Sequence, residues 1–106
     1  MEKFNEKQIE ILEDNFNYYE DEDIVELETW TDGGVNMFII IYKDNNTDYL
    51  QQLKDYVENF DIDEEIDLHR QDERYKKAFT IRQSIQDFTD FIDDLKNIIT
   101  LLEKEV

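Results

Sequence analysis

Six large apolar side chains follow one another in Met37-Phe38-Ile39-Ile40-Ile41-Tyr42, and no other feature restricts the fold of this chain so tightly. The run is rich in β-branched and aromatic residues and far too short to span a bilayer, so it reads as a strand over 35–43. Alternate side chains of a strand point to opposite sides, and an uninterrupted apolar run therefore predicts hydrophobic cover on both faces. Immediately before it, Asp32-Gly33-Gly34 holds both glycines of the chain and offers the positive φ angles of a tight turn. On the other side of that turn, Val25, Leu27 and Thr29 alternate with Glu26, Glu28 and Trp30. Two antiparallel strands are predicted to meet at the glycines, with Trp30 packed into the core at a strand end.

Helical periodicity brackets this hairpin. Phe4, Ile9, Leu12 and Phe16 share one side of residues 4–17, opposite Glu6, Glu10, Glu13 and Asp14. After the capping oxygens of Asp44 to Thr47, Tyr49, Leu50, Leu53, Tyr56, Val57 and Phe60 predict a helix from about 47 to 59. Residues 61–79 carry isolated Ile62, Ile66 and Leu68 in a polar background and fit a short helix, a strand or an ordered loop. From Ser84, expected as the cap, Ile85, Phe88, Ile92, Leu95, Ile99 and Leu102 form the apolar seam of a long helix. The predicted architecture is a single acidic α+β domain over 1–106. It has an N-terminal helix, an antiparallel β-hairpin or small sheet, and two further helices, the C-terminal one long.

Charge is the strongest clue to function. Twenty-nine residues are Asp or Glu against eleven Lys or Arg, a formal charge of -18 on 106 residues. That exceeds the magnitude of ~2–8 that keeps a small domain soluble and sets the chain against itself electrostatically. Seven Phe, six Tyr and many Ile argue for a folded core all the same. Residues 1–69 hold nearly all of the excess, whereas Arg70, Arg74, Lys76, Lys77 and Arg82 make one basic cluster, read as internal counter-charge. The partner-binding candidates are Glu20, Asp21, Glu22, Asp23, Glu26 and Glu28, together with Asp61, Asp63, Glu64, Glu65 and Asp67. Direct binding to nucleic acid or to an anionic membrane is disfavoured because both carry the same sign. The start Met-Glu-Lys-Phe-Asn lacks a secretory pattern, and cysteine is absent, which suits a bacterial cytoplasm.

Catalytic equipment is sparse. The single Ser, Ser84, is explained as a cap, and the single His, His69, as a surface or partly packed side chain. Asp61-x-Asp63-x-Glu65-x-Asp67 has Ile66 where a calcium loop needs Gly, and Asp72 where it needs Glu. No catalytic, cofactor or metal residue is assigned, and the chain is not read as an enzyme.

In size, acidity and element order, the chain resembles the phage-encoded anti-CRISPR proteins, DNA mimics that inhibit RNA-guided DNA nucleases. Residues 57–92, through Val57-Glu58-Asn59-Phe60-Asp61-Ile62-Asp63-Glu64-Glu65-Ile66-Asp67, Arg70-Gln71-Asp72-Glu73-Arg74-Tyr75 and Phe79-Thr80-Ile81-Arg82-Gln83-Ser84-Ile85-Gln86-Asp87-Phe88, also resemble a segment of small phage and mobile-element proteins of gut bacteria. The resemblance implies an inhibitor that fills the nuclease groove reading the short duplex motif beside its target, carboxylates replacing phosphates and base edges. Alternatives are a mimic aimed at a restriction enzyme or another DNA-binding protein, and an acidic adaptor that dimerises through the seam of residues 85–102. A basic nucleic-acid-binding protein is the expected partner, and the protein itself a monomer or homodimer.

Overall fold

In a computed structural model, which describes residues 1–106, the elements run α1 (Glu6–Asn15), β1 (Asn17–Glu20), β2 (Ile24–Trp30), β3 (Asn36–Tyr42), α2 (Tyr49–Glu58), α3 (Ile62–His69), α4 (Glu73–Ala78) and α5 (Ile81–Glu103). This is the expected α+β class. Three antiparallel strands form a sheet in the order β1-β2-β3. Glu28 lies between Asn17 and Phe38, and Glu26 between Tyr19 and Ile40.

Local chemistry explains the boundaries. At α1, the Asn5 side chain accepts from the Gln8 N–H at 2.9 Å while Gln8 Oε1 accepts from the Asn5 N–H at 3.0 Å, a reciprocal capping box. The chain leaves α1 at Phe16 in an extended conformation and passes straight into β1, a strand the sequence pattern did not reveal. Thr80 and Gln83 build a second capping box at the start of α5. Ser84, expected as that cap, is instead fully buried one turn inside the helix, with its hydroxyl 2.8 Å from the Tyr75 hydroxyl. Residues 61–79 resolve into α3, capped by Asp61, and α4, capped by Asp72. Four helices therefore follow the sheet where two were expected.

Both glycines of the hairpin are needed, for different reasons. Gly34 alone has a positive φ, 86°, and its N–H donates to the Thr31 carbonyl at 2.9 Å. Gly33 is required by proximity: a Cβ there would lie 2.8 Å from Asp87 Oδ2 and 3.1 Å from the Phe79 ring.

The core lies between the inner face of the sheet and the helices. Val25, Leu27, Met37, Ile39 and Ile41 meet Leu12, Leu53, Phe88, Leu95 and Leu102, all buried. Each such side chain contributes about 1.5–3 kcal/mol by leaving water. Helices α1, α2, α3 and α5 supply buried core residues from this one side, α4 only the half-buried Tyr75, and the opposite face of the sheet is uncovered. Expected cover on both faces of residues 35–43 is thus corrected: Phe38 and Tyr42 are exposed and Ile40 half-buried. Consecutive antiparallel hairpins need no crossover helix, so nothing in this topology draws a second layer onto the far face.

The long α5 serves as the spine. Its N-terminal half meets α3 and α4 through Phe88 with His69 and Ser84 with Tyr75. Its C-terminal end meets the start of α1, where Gln8 Nε2 donates to the Leu102 carbonyl at 3.1 Å, and Lys54 of α2 at Glu103. The inward residues of α5 include Phe91 and Ser84, while Ile85 is exposed. Apart from Ile85, the seam proposed for dimerisation is buried in the protein's own core.

Candidate protein-docking surface

The acidic run between β1 and β2 is largely occupied with holding its own turn. Asp21 Oδ1 accepts the N–H groups of Asp23 at 2.8 Å and Ile24 at 2.9 Å, and these bonds pull its carboxyl below the usual range. The Tyr19 hydroxyl donates to Asp21 Oδ2 at 3.3 Å, and the nearby negative charge raises the phenol. Glu20 accepts from Lys43 Nζ at 2.5 Å and from the Tyr18 hydroxyl at 2.6 Å. The Lys43 bond, then the Tyr18 bond, lowers the Glu20 carboxyl, and Lys43 is raised in return. Burial first, and then the bond to Glu20, pushes Tyr18 well above an ordinary phenol. Glu22 and Asp23 remain exposed at the turn with no cation within ion-pair distance.

Glu26 and Glu28 point outward from β2, on the uncovered face. Asn17 Nδ2 donates to Glu28 Oε1 and Asn36 Nδ2 to Glu28 Oε2, each at 3.1 Å, so neutral amides on both neighbouring strands hold this carboxylate. Neither glutamate has a Lys, Arg or His nitrogen within 4.0 Å. Large side chains surround them: Tyr19 is 53% exposed, Trp30 52%, Phe38 48% and Tyr42 52%. Trp30, expected in the core, is therefore a surface residue: it is the last residue of β2, in the outward register of Glu26 and Glu28, at the end of the sheet. Trp30 also borders a cleft of about 340 Å³ that reaches Phe16, Phe91, Asp94 and Leu101.

The second acidic group belongs to α3. Asp61 caps the helix by accepting the Glu64 N–H at 3.1 Å, and Asp63, Glu64 and Glu65 stand in the first turn, where the helix dipole favours negative charge. Glu65 lies 3.3 Å from His69 Nε2, and the His69 ring stacks on Phe88 at 5.6 Å between centroids. Asp63, Glu64 and Asp67 are exposed. The two acidic groups lie toward opposite ends of α5: the β1–β2 turn is tied through Lys43 to the end where α2 begins, and α3 packs on the N-terminal half. Glu26 and Glu28 occupy the sheet between them.

Arg70, Arg74, Lys76, Lys77 and Arg82, expected as internal counter-charge, make no close ion pair, although Arg70 and Lys76 line a shared hollow with Asp63 and Asp67. None is within 4.0 Å of a carboxylate, and the Arg70 guanidinium instead donates to the Phe79 carbonyl at 2.8 Å. Residues 70–82 form a basic pole beside α3. Only three lysines, Lys7 with Glu105, Lys43 with Glu20 and Lys54 with Glu103, lie within 4.0 Å of a carboxylate. No three His, Asp or Glu side chains converge as a metal ligand set. What the arrangement offers chemically is an anionic, partly aromatic surface on a rigid sheet.

Compared with known proteins, the chain matches no family model, no curated protein and no solved structure.

Proposed function

We propose that this protein is a decoy for nucleic acid, an anti-CRISPR inhibitor that occupies the basic site where an RNA-guided DNA nuclease reads the motif beside its target. The observation that carries the reading is charge without compensation: 29 carboxyl side chains, of which only three make close lysine pairs. Such a surface repels polynucleotides and is drawn to the cationic channels that bind them. Along β2, Glu26 and Glu28 stand about 6.6 Å apart by strand geometry, close to the scale on which a polynucleotide repeats its charge. The proposed setting is the cytoplasm of a bacterial host, with the gene carried by a phage or mobile element. Burial of the α5 seam in the protein's own core counts against the adaptor alternative.

The test is inhibition of DNA cleavage across a panel of RNA-guided nucleases and restriction enzymes, run over a series of salt concentrations. Inhibition of an RNA-guided nuclease that competes with target DNA and weakens steeply with salt is the expected result. Competition confined to a restriction enzyme would move the target but keep the mimicry. Inhibition indifferent to DNA concentration and to salt would overturn the decoy reading.

A further inference from the structure

The uncovered sheet face differs from every other acidic part of the molecule in combining carboxylates with exposed rings on a hydrogen-bonded scaffold. We infer that this face docks arginine side chains of a basic partner protein, with Glu28 as the oriented acceptor and the Phe38 and Trp30 rings as planes for the guanidinium. The inference rests on the reading of the partner as a cationic protein and goes further, naming the surface and the side chain it selects.

Charge decides the occupant. An apolar partner would bury Glu26 and Glu28 without a counter-ion, at a cost of several kcal/mol per ion. A second copy joined through the same face would set these carboxylates against their own equivalents, and a nucleic acid would meet them with phosphates. Only a cationic surface satisfies the glutamates and covers the rings at once.

Geometry decides which cation. Glu28 sits directly across the strands from Phe38, and Trp30 is two residues further along β2 on the same side. Cross-strand neighbours on one face have Cβ atoms about 4.5–5.5 Å apart, so a planar group stacked on the Phe38 ring is within reach of the Glu28 oxygens. The two Asn amides fix both of those oxygens while leaving each a free lone pair and the full negative charge. A guanidinium stacks on a ring and presents a fork to a carboxylate simultaneously, whereas an ammonium is a strongly hydrated point charge without a plane. Glu26, between Tyr19 and Ile40, offers a second acceptor one pleat away.

Trp30 is the only tryptophan and reports on this face directly. The experiment titrates the protein with a hexa-arginine peptide and with a hexa-lysine peptide at physiological salt, reading Trp30 emission. Hexa-arginine is expected to bind about tenfold tighter and to shield Trp30 from acrylamide quenching. Glu28→Gln and Phe38→Ala are each expected to bring the two peptides to parity, with circular dichroism unchanged because Gln keeps the size of the half-buried Glu28 and Phe38 is exposed. Glu64→Gln on α3, an equal change of charge, is expected to weaken both peptides alike and leave the preference intact. Equal affinity of the two peptides for the wild-type protein, Trp30 left open to acrylamide in the complex, or an effect of Glu28→Gln no larger than that of Glu64→Gln, would each overturn the assignment. Its failure is separable from that of the decoy reading. Displacement of DNA from a nuclease without any arginine preference removes this surface and keeps the decoy, whereas arginine preference without displacement from any nuclease keeps the surface and removes the decoy.

Discussion

Replacing Asp87 with alanine should destabilise the protein through the hairpin that carries Trp30. Asp87 is buried on α5, and its Oδ2 accepts from the Thr31 hydroxyl at 2.6 Å while its Oδ1 accepts from the Gly33 N–H at 2.8 Å. Thr31 Oγ1 in turn accepts from the Val35 N–H at 3.1 Å, so one carboxylate anchors the whole turn to the helix. Hydrogen bonds to a charged group contribute about 1.5–3 kcal/mol each, but Gly33 is only half-buried and water can replace part of its bond. Taking the lower end for both bonds gives a loss of about 3 kcal/mol. For a domain of this size each kcal/mol moves Tm by roughly 4–8 °C, so a fall on the order of 15 °C is expected in thermal melts followed by circular dichroism. Faster hydrogen exchange at the Gly33 amide should accompany it. A double-mutant cycle with Thr31→Val isolates the hydroxyl–carboxylate bond and should return a coupling of about 1 kcal/mol or more. A loss below about 1 kcal/mol for Asp87→Ala, or additive mutations, would refute the role given to this network.

Thr80→Ala removes the α5 cap and should lower stability by about 1 kcal/mol in urea unfolding, while Ser84→Ala should leave the start of α5 in place. Tyr56 is pushed up to about 12, first by burial and then by the charge of Glu65, from an ordinary 10.0. Because the unfolded phenol ionises first, the stability tied to this proton is complete below pH 10 and is lost as pH rises towards 12, which an ultraviolet titration of wild type against Tyr56→Phe would follow. The Glu20 carboxyl, lowered by Lys43 and Tyr18, should titrate below the usual 4.5 by NMR and return towards it in Lys43→Met; its stabilising pair is present above the unfolded value and lost as acid protonates the folded carboxyl.

What the sequence made legible was whatever local periodicity alone decides. The β2–β3 hairpin shows in alternating side chains and a glycine pair, α1, α2 and α5 in their apolar stripes, and each was found within a few residues of its place. β1 was missed because four residues following directly on a helix are too few to display a period of two. Ser84 was misassigned because capping oxygens look alike in sequence; only packing against Tyr75 distinguishes a buried hydroxyl from a cap. The uncovered face was the largest surprise, since Phe38, Ile40 and Tyr42 look like core and no pattern in one strand says how many layers will pack on it. That surprise bears on the candidate site: Glu26 and Glu28 were selected for charge alone, and their aromatic neighbours Tyr19, Trp30 and Phe38 were not. An apolar residue opposite an acidic one on a strand was the signal that could have found them. The relation between the Glu20–Asp23 and Asp61–Asp67 groups was invisible, because the path of α2 and α3 along α5 separates them.

The most direct measurement is displacement of a labelled DNA duplex from its nuclease by three forms of the protein at equal concentration. The wild type and Glu6→Lys/Glu10→Lys, altered on the exposed side of α1, should both displace the duplex, while Glu26→Lys/Glu28→Lys, with the same change in net charge, should not. Equal displacement by all three, or by none, would contradict the claim that the sheet face carries the interaction.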